Sequence, residues 1–178
     1  DVILPSHTTL ERWVDDVPEP GVGFEIRSIG QPVVEPRWDT RDPGDVVIVP
    51  EPGYQAYLGG ALLAGCEPYV APLKAVNRFL LELDQLPTSV LERAKLVFIN
   101  YPNNPTAAVA DPAYLERTVA VCRRYGILLA YDNAYCDLTF DEYRAPSIFD
   151  VAGAHDVALE FFTVSKSFSM TGWRIGFA

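Results

Sequence analysis

Short apolar runs alternate with helix-like segments from Asp45 to the end of this sequence. Strands are predicted at 45–50, 67–72, 95–101, 127–132 and 158–165, and another begins within 173–178. Helices are predicted between them at 54–65, 86–94 and 111–126. The run at 95–101 is continuously apolar, which is typical of a strand covered on both faces. The alternation predicts an α/β fold, with a mostly parallel sheet and helices on both of its faces.

End signals support three of these elements. The helix at 111–126 has Asp111 as an N-cap, Pro112 in its first turn and Gly126 as a stop. For the helix at 86–94, Thr88 or Ser89 is the expected N-cap. Prolines flank the strand at 67–72, which places that strand near an edge or an end of the sheet.

Charge and cysteine content exclude several classes of function. A net charge of −10 argues against nucleic-acid and anionic-membrane partners, because both favour clustered Lys and Arg. No apolar run reaches the length of a membrane helix, and the N-terminus has no signal-peptide pattern. The three cysteines form no C-x-x-C pair and His7 and His155 are isolated, so no metal site is expected. A cytoplasmic protein is the expectation.

Polar side chains follow the predicted strands at their carboxyl ends. Ligands of open parallel sheets bind beyond these ends, so the side chains are expected to meet on one rim. They supply an amide, a carboxylate, a phenol, an amine and an aromatic ring, from Asn104, Asp132, Tyr135, Lys166 and Tyr54.

Each of these residues also has an ordinary interpretation. Lys166 is either a surface charge or an amine near an apolar wall, where desolvation makes a lysine a nucleophile for Schiff-base chemistry; the wall would come from Val164, Phe168, Met170 and Trp173. Asp132 either caps the following turn or pairs with a cationic ring nitrogen. Asn104 either forms an Asx-turn before Pro105 or donates to a ligand oxygen.

The remaining candidates are equally open when taken singly. Tyr54 and Tyr135 are ordinarily packing residues with a hydrogen-bonded hydroxyl. Arg174 is either a surface cation or a bidentate phosphate anchor. Thr163 and Ser165 are either plain strand-end hydroxyls or phosphate donors.

Taken together, three motifs resemble one family. The order N-N-P-T (103–106), D-x-A-Y (132–135) and S-K-x-F-x-M-x-G-W-R-I-G (165–176) is similar to that of the class I/II aminotransferases, pyridoxal-phosphate enzymes of fold type I. The stretch 42–73 leans toward the branch that contains the LL-diaminopimelate aminotransferases. The resemblance implies that 42–178 is a partial cofactor-binding large domain behind an irregular segment at 1–41, with the C-terminal small domain absent.

The resemblance also implies roles for the candidates. Lys166 would form the aldimine with pyridoxal 5'-phosphate and shuttle the proton, while Asp132 would keep the pyridinium nitrogen protonated. Asn104 and Tyr135 would bind the cofactor's 3′ oxygen, and Tyr54 would stack on the ring. The phosphate would be held by Arg174, Thr163 and Ser165.

The implied function is transfer of an amino group between an amino acid and a 2-oxo acid by a homodimer. Two alternatives stay open: another fold-type-I enzyme, such as a β-lyase, an aminocyclopropane-carboxylate synthase or a decarboxylase, and a truncated, non-catalytic cofactor-binding domain.

The sequence also departs from the family pattern. Ala107 stands where the family usually has Gly, which argues against a positive φ there. A phosphate loop is expected before Pro43, and neither 21–26 nor 28–32 matches it.

Overall fold

The computed structural model describes residues 45–178; the segment at 1–41 and the two stretches at 21–26 and 28–32 lie outside this part. The strands are β1 Val46–Glu51, β2 Glu67–Pro72, β3 Ala94–Asn100, β4 Leu128–Asp132, β5 Ala158–Thr163 and β6 Gly176–Phe177. The α-helices are α1 Gln55–Leu63, α2 Thr88–Leu91, α3 Pro112–Tyr125 and α4 Val164–Ser167. Short 3-10 helices lie at Ala75–Asn77, Leu83–Gln85, Ile148–Asp150, Ala154–Asp156 and Thr171–Trp173.

The strands form one sheet in the order β2-β1-β3-β4-β5-β6. The first five are parallel and β6 runs antiparallel to β5. β2 lies at an edge, as its prolines predicted. Asn100 of β3 is in register with Asp132 of β4, which is in register with Phe161 of β5. The carboxyl ends of these three strands are therefore neighbours.

Helices cover both faces of the sheet, so the predicted α/β class is confirmed. On one face, alternate strand residues such as Val97 and Leu129 enter the main core together with Leu115 and Val119 of α3. On the other face, a smaller cluster joins α1 to β1 and β3, and consists of Val47, Val49, Tyr57, Ala61 and Cys66 with Leu96 and Phe98 packed against it. Asp132 and Phe98 occupy even-numbered positions on paired strands and share this second face.

The end signals of α3 are confirmed and those of α2 are wrong. The Asp111 side chain accepts a hydrogen bond from the Tyr114 N–H at 2.7 Å, and Gly126 ends α3 with a φ of 67°. In α2 the cap position is held by Pro87, without a side-chain cap, and Thr88 is already helical. The reason is that the Pro87 carbonyl accepts the first helical bonds, from the N–H groups of Val90 and Leu91.

Among the described residues, no helix is both long and apolar enough to cross a membrane.

Glu160 on β5 is a carboxyl group enclosed by the fold, with only 2% of its surface exposed. It accepts hydrogen bonds from Asn133 Nδ2 at 2.8 Å and from Ser147 Oγ at 2.5 Å. Burial raises the pKa of this carboxyl, and these bonds partly offset the rise. Glu160 thus ties β5 to both ends of the loop that follows Asp132.

We expect Glu160→Ala to lower the free energy of unfolding by about 2–4 kcal/mol, because it leaves the buried Asn133 amide and the half-buried Ser147 hydroxyl without their acceptor. Glu160→Gln should cost about 1 kcal/mol, since an amide still bonds both groups. The raised pKa means that the folded state binds the proton more tightly than the unfolded state. The contribution of Glu160 is therefore largest in acid and falls as the pH rises through the folded-state pKa.

Thermal unfolding of the full-length protein from about pH 4.5 to about pH 7 measures both effects. The Gln variant should show a flatter pH dependence than the wild type. Equal losses for the Ala and Gln variants would contradict this account, since packing alone would then explain the cost.

Candidate functional site

The Asp132 carboxylate, at the carboxyl end of β4, is the best-defined polar group on the rim. It is half-buried, its Oδ2 accepts from the Tyr57 hydroxyl at 2.5 Å and its Oδ1 accepts from the Ala134 N–H at 3.3 Å. Burial raises the pKa of this carboxyl, and the bonds from Tyr57 and Ala134 partly counteract the rise. The bond to Ala134 is the ordinary turn role considered for Asp132. A carboxylate accepts about four hydrogen bonds, so capacity for a ligand remains.

Tyr57 on α1 is buried and held by two aromatic contacts. Its ring stacks on Phe98 of β3, with centroids 4.6 Å apart and planes 9° apart. Tyr54 meets it edge-on at 5.6 Å. Burial and the neighbouring Asp132 charge raise the pKa of Tyr57 well above its usual range, so its hydroxyl stays protonated and donates.

Tyr57 was not among the site residues predicted from the sequence. The available signal was its spacing: it lies three residues after Tyr54 in Y-x-x-Y at the start of a helix, and such residues share a face. Tyr54 itself is 53% exposed and stands at the N-cap position of α1. It reaches Asp132 through Tyr57.

Asn100 joins the end of β3 to its neighbours and was also missed. Its Nδ2 donates to the Asp132 carbonyl at 2.7 Å, and its Oδ1 accepts from the Asn104 N–H at 2.8 Å. The Asx-turn considered for Asn104 is instead made by Asn103, whose Oδ1 accepts from the N–H and hydroxyl of Thr106. The Asn104 side chain is left exposed at the rim. The signal for Asn100 was an amide ending an apolar strand.

Ala107 adopts a positive φ of 57°, so the expectation against one is wrong. The loop closes on itself by two backbone bonds, from Ala107 N–H to the Asn103 carbonyl and from Asn103 N–H to the Ala108 carbonyl. This closure requires left-handed backbone at Ala107, where glycine carries no steric cost.

Lys166 lies on α4, directly after β5. Its amine is 5.7 Å from the centroid of the half-buried Tyr135 ring, which places two predicted site residues in contact through a cation–π attraction. The predicted apolar wall is wrong: Lys166 is exposed, and Phe168 and Trp173 are 68% and 69% exposed. The helix α4 is a single turn of four residues after the carboxyl end of β5, and none of its residues is buried.

The three predicted phosphate ligands lie in one folded-back segment. Thr163 Oγ1 accepts from the Ser165 N–H at 3.1 Å and donates to the Ile175 carbonyl at 3.2 Å. The exposed Arg174 guanidinium donates to the Thr171 carbonyl at 3.2 Å, and its other donors remain for a ligand. These three hydrogen bonds join residues within 163–175, and none of them involves Asp132.

The rim therefore offers groups of different chemistry on adjacent strand ends. A half-buried carboxylate, an amine on an aromatic face, an exposed amide and an exposed guanidinium can bind a ligand with several polar groups. Across residues 45–178, no group of three His, Cys, Asp or Glu side chains could hold a metal ion.

Comparisons with known proteins show which family the chain resembles. A family profile described as aminotransferase class I and II matches residues 40–178. The LL-diaminopimelate aminotransferase of Desulforudis audaxviator is 53% identical over 79% of this chain and 36% of its own length. That of Moorella thermoacetica is 52% identical over 77% of this chain and 35% of its own.

Solved structures give the same relationship. BacF from Bacillus subtilis has a TM-score of 0.73 at 42% identity, over 75% of this chain and 34% of its own. A probable N-succinyldiaminopimelate aminotransferase from Thermus thermophilus has a TM-score of 0.71 at 37% identity, over 75% and 36%. The chain thus spans about a third of the length of these relatives. From its matching profile, sequence and fold, the chain belongs to the class I and II aminotransferase family.

Proposed function

We propose that residues 42–178 are part of the cofactor-binding large domain of a pyridoxal-phosphate-dependent aminotransferase, an enzyme of amino acid biosynthesis. It moves an amino group between an amino acid and a 2-oxo acid. The names of the relatives at 53% and 52% identity support diaminopimelate as the amino acid. We further propose a cytoplasmic homodimer without nucleic-acid or membrane partners.

The chemistry of the donor set fits pyridoxal phosphate. Asp132 is a half-buried carboxylate that forms no ion pair with any residue of 45–178, and such a group suits a protonated ring nitrogen. This observation carries the proposal, because a half-buried carboxylate with no cation among the described residues is stabilised when a ligand supplies the positive charge.

The other residues would hold the remaining parts of the cofactor. Lys166 would bind the aldehyde carbon and Asn104 and Tyr135 the ring oxygen, while Tyr54 would pack on the ring. The phosphate would be held by Arg174, Thr163 and Ser165. When bound, the cofactor supplies a sink for the electrons left on the substrate's Cα. Once the substrate's amino group has displaced Lys166 from the aldehyde carbon, the freed amine would take and return the Cα proton, while Asp132 would keep the ring nitrogen protonated.

Borohydride reduction of the full-length protein with pyridoxal phosphate tests this function. We expect mass spectrometry to find the reduced cofactor on the peptide that contains Lys166, because this lysine follows the strand next to Asp132. Lys74 and Lys95, the other lysines of this chain, are internal controls and should stay unmodified.

A label on those lysines alone, or no label, would contradict the proposal. The reaction itself is tested with diaminopimelate and 2-oxoglutarate, from which glutamate should form. Release of ammonia without a new amino acid would show that the enzyme breaks a different bond.

A further inference from the structure

We propose that Tyr57 is a positioning residue whose hydroxyl fixes the Asp132 carboxylate in the orientation that receives the cofactor's ring nitrogen. This inference rests on the proposed function and extends it to a residue that would not touch the cofactor's reacting atoms. It is carried by the hydrogen bond from the Tyr57 hydroxyl to Asp132 Oδ2 at 2.5 Å, across 75 positions of sequence.

The orientation of this carboxylate is set by two donors, one on each oxygen. The Ala134 N–H, from the turn after β4, forms the longer hydrogen bond, at 3.3 Å. The Tyr57 hydroxyl, from α1, forms the shorter one. Since the two come from different elements, the carboxylate cannot rotate without losing a bond.

The Tyr57 donor is itself rigid. Its ring stacks on Phe98 with centroids 4.6 Å apart, and it makes a T-shaped contact with Tyr54 with centroids 5.6 Å apart. Phe98 belongs to β3, which pairs with the strand that carries Asp132. The position of the Tyr57 hydroxyl is therefore fixed by the sheet as well as by α1. A site held by such packing keeps its geometry.

Electrostatics agree with this direction of donation. Burial and the Asp132 charge both raise the pKa of Tyr57, so the phenol keeps its proton, and its bond lowers the pKa of a carboxyl that burial raises. The other titratable groups near this pair, within the described residues, are Tyr54 beside Tyr57, Tyr135 on the following turn and Lys166 over the Tyr135 ring. Loss of the Tyr57 bond should thus make Asp132 easier to protonate.

The test compares Tyr57→Phe with Tyr143→Phe in the full-length protein. Both remove one hydroxyl; Tyr143 donates to the Ala110 carbonyl at 2.8 Å, away from Asp132. The Tyr57 variant should bind pyridoxal phosphate about tenfold more weakly near neutral pH, with an acidic limb of binding about one pH unit higher. The Tyr143 variant should match the wild type in both.

A second measurement does not need the cofactor. Carbon NMR of labelled Asp132 should show a higher carboxyl pKa in Tyr57→Phe than in the wild type. Replacing Tyr57 with 3-fluorotyrosine, whose hydroxyl is a stronger donor and whose ring still fills the site, should shift the pKa the other way. This second variant keeps the test valid if Tyr57→Phe does not fold.

The possible failures are distinguishable. Unchanged Asp132 titration in both Tyr57 variants, or unchanged cofactor affinity and pH profile, overturns the role of Tyr57 alone. A wild-type protein that does not bind pyridoxal phosphate overturns the proposed function and this inference together.

Discussion

Lys166→Ala is expected to lower the rate of amino transfer by roughly 10³-fold or more, within the range attributed to a positioned acid–base group. The amine would both bind the cofactor's aldehyde and carry the Cα proton, so one truncation removes two functions. Lys166→Arg should be nearly as inactive, because a guanidinium keeps the charge and the contact with Tyr135 but is neither a nucleophile nor a usable base.

Single-turnover kinetics with saturating cofactor and amino acid measure this loss. Lys74→Ala, at an exposed residue before a 3-10 helix, is the matched control and should retain full activity. Circular dichroism should be unchanged in all three variants, since Lys166 is exposed. An Ala variant with rates near those of the wild type would remove Lys166 from the mechanism.

Asp132→Asn is expected to weaken cofactor binding by about 2–4 kcal/mol. It should also lower kcat, by a factor that corresponds to a similar change in free energy. The amide keeps the shape and still accepts from Tyr57, but it has no charge to hold a proton on the ring nitrogen. The wild-type protein should lose affinity only in acid, as Asp132 becomes protonated, because only the ionised form pairs with a cation. The Asn variant should lack this acid limb.

Equilibrium titration by cofactor absorbance gives the affinity, and steady-state assays give kcat. A cofactor analogue methylated at the ring nitrogen carries a permanent positive charge, so it should restore part of the activity of Asp132→Asn. Asp84→Asn, at an exposed acid in a 3-10 helix, is the control. Equal affinity of the wild type and Asp132→Asn would mean that the carboxylate does not face the ring.

The elements of the fold were predictable where the determining forces are local. β3 and α3 follow from a continuous apolar run and from Asp111 and Gly126, and these signals act within a few residues. The N-cap of α2 was not predictable from Thr88 and Ser89, because the N-cap residue is Pro87, which precedes both. The φ of Ala107 depends on loop closure, which residue type alone does not specify.

The sequence indicated which polar residue types follow the strands, but not which contacts they make. The strand ends placed Asn104, Asp132 and Lys166 on one rim, since parallel strands share a direction. The partner of Asp132 is Tyr57, on a helix 75 positions earlier, and only the packing of α1 on β3 brings them together. The exposure of Lys166 depends likewise on the packing around α4, a single turn in which no residue is buried.

The amide of Asn100 acts as a spacer of fixed length between the N-N-P-T loop and the strand that carries the acid. Its Nδ2 bonds the backbone of Asp132 and its Oδ1 bonds the backbone of Asn104. The separation of these two backbones is therefore set by one planar group on a paired strand. The start of the loop is therefore fixed to the backbone of the residue that supplies the carboxylate, so a change in the one is transmitted to the other through a single side chain.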